Sequence, residues 1–170
     1  ATLICEGVGA VRQNDKWALI DRKGELITEF VFDGIAQNSR GICSVNKKIG
    51  VRQGESWFFV NEKGERTSQQ VYEAVRAFES DGMCAVCMDG KWGFIDREEN
   101  LKIACAYEEA RSFTAGYAAV KKNGIWGYVD EKGSMAVSPV FDGAGLMTRE
   151  GVAPVCHGDA WTLIQLKIMD

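Results

Sequence analysis

Five tryptophans recur along the chain at a nearly constant spacing. The four intervals between Trp17 and Trp161 are 40, 35, 34 and 35 residues. A glycine lies ten residues before four of the tryptophans, and an aromatic residue lies fifteen residues after four of them. Internal periods of this length are the signature of repeat proteins. The markers are Trp17, Trp57, Trp92, Trp126 and Trp161, then Gly7, Gly82, Gly116 and Gly151, then Phe32, Tyr72, Tyr107 and Phe141.

The markers divide the chain into five repeats that together form one domain. The repeats run over about 6–40, 41–81, 82–115, 116–150 and 151–170. In the second repeat the marker glycine, Gly41, lies sixteen residues before Trp57, so this copy carries about six extra residues. The fifth repeat stops soon after Trp161, and its tail at 163–168 is expected to be a strand that caps the array.

Each repeat is predicted to be a three-stranded antiparallel meander. Asp89-Gly90 and Asn123-Gly124 are strong hairpin signals between the first strand and the tryptophan strand. Asp96 and Asp130 begin a second turn, in which Gly133 supplies a positive φ. The third repeat has no glycine there, and Asn100 is expected to take the left-handed position. The segment that leads to the next repeat fits either a short strand or a helical turn.

A single meander buries only one face, so neighbouring repeats must stack to form a core. Two all-β arrangements fit: an open β-solenoid and a closed five-bladed propeller-like ring. The solenoid is favoured because about 35 residues is shorter than the roughly 40–45 of a WD40 blade. All five tryptophans are predicted to belong to the repeat core. Glycine after tryptophan is expected to allow close backbone approach.

The composition argues against two classes of partner. The net charge is -4, with 46% hydrophobic and 26% charged residues, as in ordinary globular proteins. Basic residues occur in runs no longer than a pair, whereas nucleic-acid binding needs a concentrated basic surface. Apolar runs stay shorter than the roughly 18 residues of a membrane helix. We therefore expect a soluble protein that inserts in no membrane, with a cytoplasmic location favoured over export.

The best copies of the motif resemble a known repeat. Lys91–Asp96, with Gly82 before it and Tyr107 after it, resembles the WG (KWG) repeat found widely in bacterial proteins, and 125–133 is the closest copy. The resemblance covers the chain from about Glu6 to Trp161. It implies an interaction module, since families of this kind share no common enzymatic activity, and it leaves the partner unnamed. The defining glycine is replaced in the other three copies by Ala18, Phe58 and Thr162.

Six cysteines are scattered along the chain, and only Cys84 and Cys87 have CxxC spacing. A zinc site needs a second pair at a suitable distance, and a redox pair normally lies at the start of a helix. Neither condition is met, so no metal is expected. Cys43 and Cys84 are interpreted as small residues at equivalent core positions, while Cys87 and Cys156 are expected to be more exposed.

No catalytic constellation can be recognised, and no cofactor is expected. His157 is the single histidine and is interpreted as a turn residue. Asp21, Asp96 and Asp130 recur at one repeat position, which indicates turn formation because catalytic groups are usually unique. By the same logic, we expect function where the repeat pattern is broken.

The clearest break is the second repeat, from Asn46 to Ser56. An extended hairpin with basic and aromatic residues there would suit an acidic protein surface. An ordinary variable loop is the competing interpretation. A lectin-like carbohydrate-binding module is the alternative function, and it requires several repeated aromatic side chains to be exposed. The candidate binding residues are Lys47, Lys48, Arg52, Trp57 and Phe58.

Overall fold

The computed structural model describes residues 1–38, 40–79 and 81–167. These residues form strands, turns and bends, so the predicted all-β class is confirmed. No helix capable of spanning a membrane occurs in this part of the chain. The chain divides into two compact halves, Ala1–Glu79 and Ser80–Asp170.

The N-terminal half contains two sheets of antiparallel strands. In the first sheet β1 pairs with β2. In the second, β5 pairs with β6 along one edge and with the short strands β3 and β4 along the other. The strands are β1 (Gly9–Gln13), β2 (Lys16–Ile20), β3 (Gly34–Ile35), β4 (Ser44–Val45), β5 (Lys48–Gln53), β6 (Ser56–Val60) and β7 (Ala74–Val75).

The C-terminal half contains three further antiparallel groups of strands. The strand orders are β8-β9-β10, β11-β12-β13-β14 and β15-β16-β17. Their ranges are β8 (Cys84–Met88), β9 (Lys91–Ile95), β10 (Leu101–Tyr107), β11 (Glu109–Ala110), β12 (Tyr117–Lys122), β13 (Ile125–Asp130), β14 (Met135–Phe141), β15 (Gly143–Ala144), β16 (Val152–His157) and β17 (Ala160–Gln165).

The segment between repeats is a short strand, which decides between the two alternatives that the sequence left open. Each such strand pairs with the first hairpin strand of the following repeat. β3 pairs with β5, β11 with β12, and β15 with β16. A sheet is therefore assembled from two successive repeats, and the pairing links neighbours along the chain.

The three-stranded meander is confirmed in the third and fourth repeats, where β10 and β14 form complete third strands. The glycine after tryptophan explains why. A Cβ at Gly93 would lie 2.5 Å from the carbonyl oxygen of Ile103, and one at Gly127 would lie 2.5 Å from that of Val137. The third strand thus lies so close that only glycine fits, as the sequence predicted.

The first and second repeats differ, because a side chain follows their tryptophans. Their third segments make only isolated bridges, including Trp17 to Phe32 and Trp57 to Tyr72. In place of the close approach, the Thr28 hydroxyl accepts a hydrogen bond from the Leu19 N–H at 2.9 Å. The prediction of a regular third strand in every repeat is therefore wrong for these two copies.

The acid that opens the second turn acts as predicted. The Asp130 carboxylate accepts hydrogen bonds from the N–H groups of Lys132 and Ser134 at 3.0 and 2.8 Å. In the third repeat Glu99, rather than Asn100, takes the left-handed conformation, with φ of 66°. Asn100 instead donates its backbone N–H to Asp96 at 2.8 Å, so the prediction for Asn100 is wrong.

The extra residues of the second repeat lie earlier than the sequence indicated. Arg52 pairs with Trp57 and Ile49 with Val60, so β5 is the regular first hairpin strand. The insertion precedes it, where β4 and the turn at Asn46 and Lys47 add a short strand. Lys47, ten residues before Trp57, adopts φ of 60° at the position that marker glycines occupy elsewhere. The interpretation of Cys43 as the counterpart of Cys84 is wrong, because Ile49 occupies that register.

An acid immediately after the aromatic marker ties each of three hairpins to the preceding repeat. Asp33 accepts the N–H of Gly54 at 2.8 Å and Glu108 that of Gly124 at 2.9 Å. In the last repeat Asp142 accepts the N–H of Gly158 at 2.7 Å. These bonds satisfy backbone donors in the hairpin turns, where ladder pairing ends.

The core lies between successive sheets. In the C-terminal half, Phe94 of the third repeat and Val129 of the fourth belong to one buried cluster. Phe94 also contacts Phe113 edge to face, with ring centres 4.8 Å apart. Its neighbour Ile95 is equally buried but points to the opposite face. Both faces of the tryptophan strand are therefore covered.

Replacing Gly127 by alanine tests the close approach. We expect Gly127→Ala to lower the free energy of unfolding by about 1–3 kcal/mol, the usual cost of overpacking, because the Val137 carbonyl must move. Thr162→Ala alters the same position in the fifth repeat, where the described residues include no third strand, and should change stability by less than about 0.5 kcal/mol. Urea denaturation of both variants measures the difference. Equal effects would contradict the explanation.

Candidate functional site

The predicted binding residues do not form one loop. Lys48 begins β5 and Lys47 lies in the turn before it, whereas Arg52 lies near the other end of the strand. The side chain of Lys47 is 71% exposed and pairs with Glu62 at 3.3 Å. An exposed ion pair of this kind contributes little to stability. The two lysines thus form a patch that is separate from Arg52.

Arg52 and Trp57 form the second patch, at the hairpin tip. Their residues pair across β5 and β6, and the guanidinium carbon lies 6.0 Å from the centre of the indole. Arg52 also donates hydrogen bonds to the backbone carbonyls of Asp33 at 3.2 Å and Gly54 at 3.4 Å. Both side chains remain half-buried, so they are ordered yet accessible.

Phe58 cannot contribute directly to a binding surface. It is only 9% exposed and belongs to the buried cluster between the first two sheets. The guanidinium of Arg66 lies 4.8 Å from its ring centre and covers it further. The prediction of Phe58 as a contact residue is wrong because alternation along β6 turns it toward the core.

A basic residue opposite tryptophan recurs in three repeats, which the sequence analysis missed. Arg12 pairs with Trp17, Arg52 with Trp57, and Lys121 with Trp126. In the fourth repeat Arg111 adds a second cation, 5.2 Å from the Trp126 ring centre. The signal was present in the sequence as a basic residue five positions before the tryptophan. We call the pairs Arg12–Trp17, Arg52–Trp57 and Lys121–Trp126 the basic–tryptophan pairs.

Asp33 lies beside the Arg52–Trp57 pair, and its backbone carbonyl accepts a hydrogen bond from Arg52. Its carboxylate accepts a hydrogen bond from Lys16 Nζ at 2.7 Å and one from the Gly54 N–H at 2.8 Å. The bond from Lys16, followed by that from Gly54, lowers the pKa of the Asp33 carboxyl below its ordinary value. Asp33 is therefore held ionised beside Arg52.

The five tryptophans differ in exposure. Trp126 is buried, with only 6% of its surface exposed, while Trp17, Trp57 and Trp92 are half-buried. Trp161 is 65% exposed, so its predicted place in the core is wrong. Two cations lie over the buried Trp126 ring, with Arg111 at 5.2 Å and Lys121 at 5.9 Å from its centre. The row of exposed aromatics that a lectin-like surface requires is not formed by these five residues.

The remaining candidate chemistry is structural. Cys43 and Cys84 are buried as predicted, and burial raises the pKa of the Cys43 thiol. Cys87 is also buried, so its predicted exposure is wrong. His157 is the exposed last residue of β16, next to the turn. In the ranges that the structure describes, no group of three or more His, Cys, Asp or Glu residues is placed to hold a metal ion.

Comparison with known protein families gives a match over most of the chain. The model of the WG containing repeat matches residues 18–48, 57–92, 92–124 and 126–161. No curated protein sequence matches the chain.

Several solved structures resemble the chain at low sequence identity. Hsv2p of Kluyveromyces lactis is 12% identical, with a TM-score of 0.53 over 98% of this chain and 71% of that one. The same protein with loop 6CD replaced by a Gly-Ser linker is 10% identical, with a TM-score of 0.52 over 98% and 70% of the two chains. PorZ of Porphyromonas gingivalis is 8% identical, with a TM-score of 0.48 over 99% of this chain. The chain spans only 26% of PorZ. Hsv2p is β-propeller-like, so the likeness concerns the fold.

Asp33→Asn tests the role of the ionised carboxylate. Because its folded-state pKa is lowered, Asp33 stabilises the fold above the unfolded pKa of about 3.9 and loses this contribution as the pH falls toward the folded value. We expect Asp33→Asn to be less stable than the wild type at neutral pH and to lose less stability on acidification. Urea midpoints measured from neutral pH to about pH 3 check this. Asp159→Asn, at an exposed turn, is the control, and parallel curves for wild type and Asp33→Asn would contradict the assignment.

Proposed function

Because the chain belongs to the WG containing repeat family, we propose that it is a non-catalytic module that binds another protein. The observation that carries this proposal is the Arg52–Trp57 pair. Arginine and tryptophan dominate the binding energy of protein interfaces. Here the guanidinium lies on the indole and is tied to two backbone carbonyls, so little side-chain entropy remains to be lost on binding.

The charge of the surroundings suggests the kind of partner. The protein as a whole is acidic, with a net charge of -4, yet basic residues recur beside the tryptophans. A cation stacked on tryptophan attracts carboxylates while the indole supplies apolar contact. We therefore infer an acidic surface or segment of a partner protein as the ligand of the Arg52–Trp57 pair.

The recurring acidic side chains make structural hydrogen bonds, and this supports a non-catalytic role. Asp33, Glu108 and Asp142 accept backbone N–H groups of the next hairpin. Asp96 and Asp130 accept those of their own turns. Carboxylates that recur in equivalent structural bonds are explained by the repeat, and no reaction is needed to account for them.

Carbohydrate binding receives less support than protein binding. Stacking on sugars needs broad, open indole faces, and the half-buried Trp57 is already covered by Arg52. Trp161 is well exposed, but one such residue does not make a row. We therefore favour a protein ligand.

We further propose that the four-stranded sheets are propeller-like blades rather than the meanders of an open solenoid. Propeller blades are four-stranded sheets. The group β11-β12-β13-β14 has that number of strands in simple sequential order. The likeness to Hsv2p supports the same arrangement.

Arg52→Glu tests the binding surface. Charge reversal should repel an acidic partner, and we expect proteins captured from the source organism's lysate by the wild type to be lost with this variant. Lys23→Glu makes the same charge change at an exposed turn of the N-terminal half and should leave capture intact. Quantitative mass spectrometry of the captured proteins provides the measurement. Unchanged capture by Arg52→Glu would rule out this surface.

A further inference from the structure

The guanidinium of Arg111 is anchored through its Nε and leaves its other nitrogens unused. The Nε–H donates a hydrogen bond of 2.7 Å to the backbone carbonyl of Ala144 in β15. The guanidinium carbon lies 5.2 Å from the ring centre of the buried Trp126. In the described part of the chain, no acceptor lies within hydrogen-bond distance of the two terminal nitrogens. This exposed side chain therefore presents a planar fork of N–H groups in a fixed position.

The arginines of the other two basic–tryptophan pairs use their terminal nitrogens inside the protein. A terminal nitrogen of Arg12 donates to the carboxylate of Asp15 at 2.7 Å. Arg52 directs each of its two terminal nitrogens to a backbone carbonyl, at 3.2 and 3.4 Å. Arg111 is therefore the best placed of the three arginines to receive an anionic group from outside the chain.

Lys121 adds a second positive charge beside the same indole. Its Nζ lies 5.9 Å from the Trp126 ring centre. Glu109, Lys121 and Trp126 pair in one row across β11, β12 and β13, so their side chains share a face of the sheet. The Glu109 carboxylate accepts one N–H of the lysine at 3.0 Å, and the ammonium has two others. With Arg111, the two cations and one carboxylate leave a local charge of +1.

This local charge suits a carboxylate better than a phosphate group. A carboxylate carries one negative charge, and its two oxygens match the guanidinium fork. A phosphate group carries about -1.5 to -2 at neutral pH, and a carboxylate beside it repels the additional charge. Glu109 is such a carboxylate, and its bond to Lys121 shows that this face accommodates a carboxyl group. The geometry therefore favours a carboxylate ligand.

We propose that Arg111, with Lys121 beside it, binds a side-chain carboxylate of an acidic partner peptide. The terminal nitrogens of Arg111 hold both carboxylate oxygens, and the ammonium of Lys121 strengthens the attraction. Little side-chain entropy is lost on binding, because Ala144 and Trp126 already fix the guanidinium. The inference deepens the proposed binding function and rests on it, but this site lies in the C-terminal half and the Arg52–Trp57 pair in the N-terminal half.

An NMR titration of the whole chain tests the proposal. The probe is hexaglutamate with an acetylated N-terminus and an amidated C-terminus, so that its side chains carry its only carboxylates. The Nε–H signal of Arg111 and the indole N–H signal of Trp126 report on this site. The indole signal of Trp161, which pairs with Cys156 instead of a cation, is the internal control. We expect saturable shifts of the first two signals with hexaglutamate and none with hexaglutamine.

Four variants identify the groups that bind. Arg111→Gln and Arg111→Lys both remove the planar fork, although the second keeps the charge, and each should weaken binding at least about tenfold. Lys121→Gln leaves the fork in place and should weaken binding about threefold, through lost attraction alone. Lys122→Gln removes a neighbouring exposed charge of the same sheet and should change the affinity less than about twofold. Circular dichroism verifies that each variant is folded.

Four outcomes would overturn the inference. They are an Arg111 signal that does not shift, full affinity in Arg111→Lys, equal weakening by Lys122→Gln and Arg111→Gln, and binding at least about tenfold tighter when phosphoserine replaces one glutamate of the probe. The last result would make a phosphate group the ligand.

The two proposed surfaces can fail separately. If the Arg111 and Trp126 signals shift but Arg52→Glu keeps its captured proteins, the Arg111 site stands and the Arg52–Trp57 surface falls. If Arg52→Glu loses its captured proteins while the Arg111 signal stays in place, the proposed function stands and only the Arg111 site is rejected.

Discussion

Burial of both faces of the tryptophan strand is the constraint on which the described structure depends. Phe94 and Ile95 are adjacent, point to opposite faces and are both fully buried. One antiparallel meander can cover only one of them, so the other must meet a neighbouring sheet. The edge-to-face contact between Phe94 and Phe113 and the shared cluster with Val129 show how the neighbour meets that need. Stability is thus a property of adjacent repeats together.

Hydrophobic burial is non-directional, so it cannot by itself fix how one repeat meets the next. Recurring acidic residues fix the orientation, because each makes a directional hydrogen bond to a neighbouring turn. Glu108 and Asp142 hold the hairpin turn of the following repeat, while Glu6 accepts the N–H of Lys47 at 2.7 Å and Asp81 that of Gly116 at 3.0 Å. In the sequence these acids look like free carboxylates. In the structure they accept hydrogen bonds from backbone N–H groups. These carboxylates therefore hold one repeat against the next.

The regular features of the fold could be predicted from the sequence because they are local. The Asx turn at Asp130 and the close approach at Gly127 each depend on the residue and its immediate neighbours. The position of the insertion could not be predicted from the sequence. Gly41 looks like the marker glycine of the second repeat, whereas in the structure Lys47 takes the positive φ at that position. Arg52 and Trp57 were each predicted from the sequence as candidate binding residues. Their pairing was not predicted, because pairing across strands follows from the strand register.

The last strand of the described residues, β17, pairs with β16 alone. Proteins usually blunt an open strand edge with lysine, proline or a bulge. The outer strands of the two preceding sheets follow this rule, with Lys102 in β10 and Pro139 in β14. β17, Ala-Trp-Thr-Leu-Ile-Gln, contains neither a charge nor a proline and exposes its two largest apolar side chains. The outer edge of β17 therefore lacks the features that discourage pairing in β10 and β14.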